Sequence, residues 1–186
     1  NASGSAFENT VINGSDTLYN NAFFFIYSNS SAFSTVLSNY NRDGIKFYFS
    51  SNNVLANITV KNNVDAGVGL YNSSDDNSID YVNSISNPIY FYMSSRNNLS
   101  RISCSLGTAG IYITARSKGN IVDGLVSTRH SDIGVNVIEG SSDNSFYNLN
   151  LLNDSLGFNG VADNNTLINV TAGYNAHQGI SISSSS

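Results

Sequence analysis

The stretch NNVLANITVKNNVDAGVGL, residues Asn52–Leu70, decides the fold. Apolar residues follow Asn53 at two, five and seven positions (Leu55, Ile58 and Val60), and after a polar run a glycine precedes the apolar-x-apolar triplet Val68–Leu70. Two short segments of period-two character, joined by Asn, Asp and Gly turns, describe a pair of strands and not a helix face.

The same pattern recurs along the chain. NSIDYVNS, NNLSRISC, NIVDGLVS, NSFYNLNL and NTLINVTA repeat it from Asn77, Asn97, Asn120, Asn144 and Asn165, and SAFSTVLS from Ser31 and NTVINGSD from Asn9 are weaker copies in register. The steps between copies are 20 to 24 residues. The second signature returns as GIKF at Gly44, PIYF at Pro88, GIYI at Gly110, GVNV at Gly134 and GISI at Gly179, with a reduced version, GFNG, at Gly157. Glycine ahead of a strand is expected to supply the positive φ or tight bend of a corner.

A repeat of this length, with two short strands per copy, describes one rung of a parallel β-helix. The expected fold is therefore all-β, a solenoid of about eight rungs of roughly 22 residues, forming a single domain over residues 1–186 without helical caps. An α-solenoid would need Ala, Leu and Glu runs at 3.6 spacing, and a leucine-rich repeat would need an L-x-x-L-x-L frame; the chain keeps neither. Each rung points only a few apolar residues inward and depends on its neighbours for a core. The final segment shows this: Leu167, Val170, Ile180 and Ile182 are too sparse to bury one another, but stacking buries them. With rungs about 4.8 Å apart the rod is about 38 Å long. The recurrent Asn9, Asn53, Asn77, Asn97, Asn120, Asn144 and Asn165 are expected to form a structural ladder of amides bonding from rung to rung.

These residues resemble the right-handed β-helix repeats of the pectin-lyase-like superfamily, and most closely its NosD-type and archaeal surface-protein branches. The resemblance covers nearly the whole chain. It implies the coil; it leaves function open, because this scaffold serves lyases, hydrolases, tailspikes, adhesins and envelope proteins.

Composition narrows the function. A third of the chain is Asn or Ser, yet 40% is hydrophobic and 11% aromatic, so it folds. Charged residues make up 11%, the net charge is −5, and there is no basic stripe for phosphates, which argues against a nucleic-acid partner. No run of about 18 apolar residues exists to span a membrane. Cys104 has no partner in the chain and reads as a small buried thiol. Nine Asn-x-Ser/Thr sequons, at Asn1, Asn13, Asn29, Asn57, Asn72, Asn98, Asn153, Asn164 and Asn169, would suit a glycosylated extracellular surface. Composition alone yields about seven, so their number carries no weight.

No catalytic constellation stands out, and no cofactor is expected. Asp75, Asp76 and Asp80 are the only acidic cluster, and the matching positions one rung on are Ser95, Arg96 and Ser100, so no carboxylate faces them. Arg129, His130 and Asp132 read as an ordinary exposed corner, because the rung before offers no ionisable partner. His177 has no acid or second histidine nearby.

Aromatic placement says more. If Ile45, Val68, Ile89 and Ile111 point inward, then Tyr90 and Tyr112 point outward, as do Tyr48, Tyr71 and Tyr92 two places further on. FFFIY puts Phe24 and Ile26 on the same face, whereas later rungs carry Asn136, Ile138, Asn159 and Ser181 there. An exposed aromatic panel implies an interface. Terminal rungs without caps would recruit other strands, and head-to-tail contacts of that kind do not close. The expected function is a structural, self-assembling cell-surface protein, a sheath, surface-layer or filament subunit that forms a homo-polymer. The rival is a carbohydrate-binding or polysaccharide-processing module, with calcium on the aspartates, or part of a longer adhesin.

Overall fold

A computed structural model describes residues 4–14, 20–154, 156–159, 162–175 and 180–183, and contains sixteen strands. Eight long strands, β1 (Ala6–Asn13), β3 (Ala32–Asn39), β5 (Val54–Lys61), β7 (Ser78–Ile85), β9 (Asn98–Ser105), β11 (Ile121–Thr128), β13 (Ser145–Leu152) and β15 (Thr166–Gly173), form one sheet in that order. Between them run the short strands β2 (Phe23–Ile26), β4 (Ile45–Tyr48), β6 (Val68–Tyr71), β8 (Ile89–Tyr92), β10 (Ala109–Thr114), β12 (Ile133–Val137), β14 (Leu156–Asn159) and β16 (Ile180–Ser183), which form the second sheet. Every pairing is parallel and joins consecutive repeats, for example Leu55 with Phe33 and Ile79. The chain is a parallel β-solenoid, as its repeats imply.

Parallel register converts the sequence repeat into inward columns. Phe33, Leu55, Ile79, Leu99, Val122 and Phe146 form one, and Ile45, Val68, Ile89, Ile111 and Val135 face it from the short strands; all are buried. Each such side chain contributes about 1.5–3 kcal/mol when taken from water, and each reaches that burial only because a rung lies above and below.

The amide ladder lies inside this core. The Oδ1 of Asn77 accepts from both the backbone N (2.9 Å) and the Nδ2 (3.0 Å) of Asn53, and the same double bond links Asn77 to Asn97, Asn97 to Asn120, Asn120 to Asn144 and Asn144 to Asn165. Ser31 begins this run, donating its backbone N to Asn53. Asn9 is not a member. Register pairs Ala6 with Ala32 and Phe7 with Phe33, so the counterpart of Ser31 is Ser5, and Asn9 lies four residues beyond, exposed.

Asn9 instead belongs to a left-handed column, Asn9, Thr35, Asn57, Tyr81, Arg101, Gly124, Asn148 and Asn169, with φ between 49° and 57° except at Gly124 (70°), each the fourth residue of its long strand. Further left-handed corners follow the long strand (Tyr40, Asn62, Ser86, Leu106, Arg129, Asn153), follow the short strand (Tyr27, Phe49, Asn72, Met93) and precede the ladder position (Ser30, Asn52, Asp76, Arg96, Asp143, Asn164). Asparagine tolerates this backbone better than other side chains, which explains much of its abundance outside the ladder.

The glycines ahead of the short strands have a different role from the one expected. Gly44, Gly67, Gly110 and Gly134 do not have positive φ. They are required by close approach: a Cβ at Gly110 would lie 2.5 Å from the carbonyl oxygen of Gly134 on the next rung. Gly179 lies outside the described residues.

Candidate functional site

The short strands place the tyrosines where alternation demands. Tyr48, Tyr71 and Tyr92 are in register on β4, β6 and β8, Tyr90 and Tyr112 on β8 and β10, and all five point away from the core. Phe24 pairs with Lys46 and Ile26 with Tyr48, extending the face to β2, where the two are 50% and 41% exposed. Asn136 follows Tyr112 in register and ends the aromatic row. The side chain of Asn159 lies outside the described residues.

Gly69 organises this face. It occupies the slot between Lys46 and Tyr90, and a Cβ there would collide with the ring of Tyr71, so the ring fills the space a side chain would otherwise take. Tyr71 stacks on Tyr90 at 5.6 Å and 28°, Tyr90 meets Tyr112 at 5.7 Å, and the Lys46 ammonium lies 4.6 Å from the Tyr71 ring centroid. Such ring and cation contacts each stabilise by about 0.5–1.5 kcal/mol. Burial pushes the Tyr71, Tyr90 and Tyr112 hydroxyls above their ordinary pKa, so they stay protonated and can donate hydrogen bonds.

Charges at the rim of the face are paired. Lys46 Nζ donates to Asp43 Oδ2 (3.0 Å), Arg42 Nε to Asp65 Oδ2 (2.7 Å), and the Asn72 amide to the Tyr48 hydroxyl (2.5 Å). Arg42, Asp65, Tyr71, Tyr90 and Tyr92 line an open groove of about 560 Å³. Sequence reading missed Tyr27, Phe49 and Met93. Tyr27 stacks on Phe49 at 5.2 Å, and Met93 is exposed; all three leave the strands at left-handed corners, where alternation no longer predicts direction.

The other candidates resolve into structural roles. Arg96 bonds Asp75 and Asp76, and Arg101 and Ser100 bond Asp80, so each of the three carboxylates already has a cation of the chain as its partner, which does not suit calcium. These arginines hold the Asp76 and Asp80 carboxyls below their usual range. His130 overturns the expectation of an exposed corner. It is buried, with Nδ1 3.0 Å from Asp154 Oδ2 and 3.2 Å from Ser127 Oγ, while its backbone N donates to Asp154 Oδ1 (2.7 Å). The partner was overlooked because it lies on the following rung, in a slot that elsewhere holds asparagine. Cys104 is buried, and desolvation pushes its thiol up to about 12. His177 and Asn1 lie outside the described residues.

Comparison with protein families matches residues 1–183 to the family described as periplasmic copper-binding protein (NosD). No curated protein and no solved structure matches the chain.

Proposed function

The chain belongs to the NosD family, and from that premise we propose that it is a structural β-helical component of the cell envelope that associates with copies of itself through its tyrosine face. The observation carrying this reading is the row Tyr71, Tyr90 and Tyr112, held rigid by its own stacking and continuous with the exposed Phe24 and Ile26. Rigid aromatic groups around a neutral, charge-paired surface have the composition of an association surface.

Copper is part of the family's description, and the described residues do not suit it. Copper sites draw on imidazole, thiolate and thioether. The sequence has two histidines, one cysteine and one methionine; His130 holds Asp154 through Nδ1 and its Nε2 is buried without a partner among the described residues, Cys104 is sealed in the core, and Met93 lies on the surface. Among the described residues no three His, Cys, Asp or Glu side chains gather to hold a metal.

Head-to-tail stacking belongs to the same proposal. If β15 and β16 of one copy met β1 and β2 of the next, the inward columns would continue across the junction into a filament, and lateral contact through the tyrosine face would order such filaments into a sheath or surface layer. Negative-stain microscopy at neutral pH tests the reading: ordered assemblies support it, and a dispersed monomer at high concentration counts against it. The groove beside Arg42 and Asp65 favours a second reading, a saccharide ligand, which calorimetry with neutral and acidic polysaccharides would detect.

A further inference from the structure

The number of sequons is uninformative, but their placement is not. Of the eight whose asparagine is described, Asn57 and Asn169 lie at the bend of the long strands, Asn13 ends β1, Asn153 lies at the corner after β13, and Asn29, Asn98 and Asn164 lie around the corner before the long strands. Asn72 alone borders the tyrosine face, and its amide already donates to Tyr48. No outward position on the short strands begins a sequon.

A sequon needs both its asparagine and the hydroxyl two residues on. At Asn29 and Asn72 that hydroxyl is on Ser31 and Ser74, which are buried in the inward ladders; Ser74 Oγ accepts from Ser50 N and donates to the Tyr71 carbonyl at 2.8 Å. At Asn98 the hydroxyl of Ser100 is taken by Asp80. At Asn57, Asn164 and Asn169 the asparagine is exposed and the paired Thr59, Thr166 and Thr171 point outward.

We propose that the folded chain is N-glycosylated at Asn57, Asn164 and Asn169, along the long-strand side, and that the tyrosine face remains bare. The donor is a lipid-linked sugar phosphate, and a separate transferase performs the step. The amide nitrogen forms a bond to C1 of the sugar, the C1–O bond to phosphate breaks, the phosphate leaves with the electron pair, and the amide proton passes to a base. At Asn57 and Asn169 the neighbours Thr35 and Asn148 hold only one of the two amide hydrogens, so the other is available. This inference goes beyond self-association and stands on separate observations.

The test incubates the folded chain with an oligosaccharyltransferase and its lipid-linked oligosaccharide, then maps glycopeptides site by site. The expected result is modification at Asn57, Asn164 and Asn169, none at Asn29 or Asn72, and loss at Asn164 alone in Thr166→Val. A urea-unfolded sample should gain modification at Asn29 and Asn72, since their hydroxyls are then released. Equal modification of Asn29 or Asn72 in the folded chain overturns the proposal. So do three bare sites in a folded sample whose unfolded counterpart is modified.

Discussion

The side-chain amide of Asn97 donates to Oδ1 of Asn120 at 3.1 Å, and the backbone N of Asn97 donates to the same oxygen at 3.0 Å. One acceptor thus satisfies two buried donors of the rung before it. Asn120→Ala removes it and leaves both unpaired, so unfolding in denaturant should show a loss of about 2–3 kcal/mol. Asn98→Ala, at an exposed position on the same corner, should change stability by less than about 0.5 kcal/mol. Equal effects from the two variants would mean the ladder does not bear on stability.

The left-handed bend gives a prediction of opposite sign. Thr35 holds φ at 51° in a column where Asn57, Asn148 and Asn169 stand on other rungs. A β-branched side chain is poorly suited to that backbone, so Thr35→Asn should stabilise by up to about 1 kcal/mol. The asparagine can still accept from the Asn57 amide as Asn148 does from Asn169. A lower melting temperature for this variant would contradict the reading of the column.

These two positions also show what the sequence made legible. Spacing alone located the ladder from Asn53 to Asn165 and the outward tyrosines, because both repeat with each rung. It misassigned Asn9 because asparagine serves both the ladder and the bend four residues later, and one letter cannot tell an inward amide from a left-handed corner. A second ladder, Asn41 to Asn63 to Asn87, escaped notice because Gly107, His130 and Asp154 take its slot on later rungs. A third, Ser28, Ser50, Ser74, Ser94 and Ser117, was hidden among 32 serines. The Gly69 and Tyr71 arrangement depends on a ring crossing to a neighbouring column, and no periodicity encodes that.

Alkaline pH should weaken the fold from the inside. The unfolded chain ionises Cys104 above the ordinary value of 9.0, whereas the folded chain keeps the proton up to about 12. The contribution is therefore full below pH 9.0 and is lost as pH climbs toward about 12. Tyr71, Tyr90 and Tyr112 act with the same sign. Cys104→Ser, in a column that already carries Ser84 and Ser127, should fold and show a shallower alkaline decline. An unchanged slope would place the sensitivity elsewhere.

Sedimentation velocity over a wide concentration range, comparing the native chain with a Phe24→Ser, Tyr92→Ser double variant, tests self-association through the tyrosine face most directly. The native chain should grow in sedimentation coefficient as concentration rises, and the variant should remain one slow species with an unchanged circular dichroism spectrum. A native chain that stays a single species throughout, or a variant that associates equally well, would contradict the account.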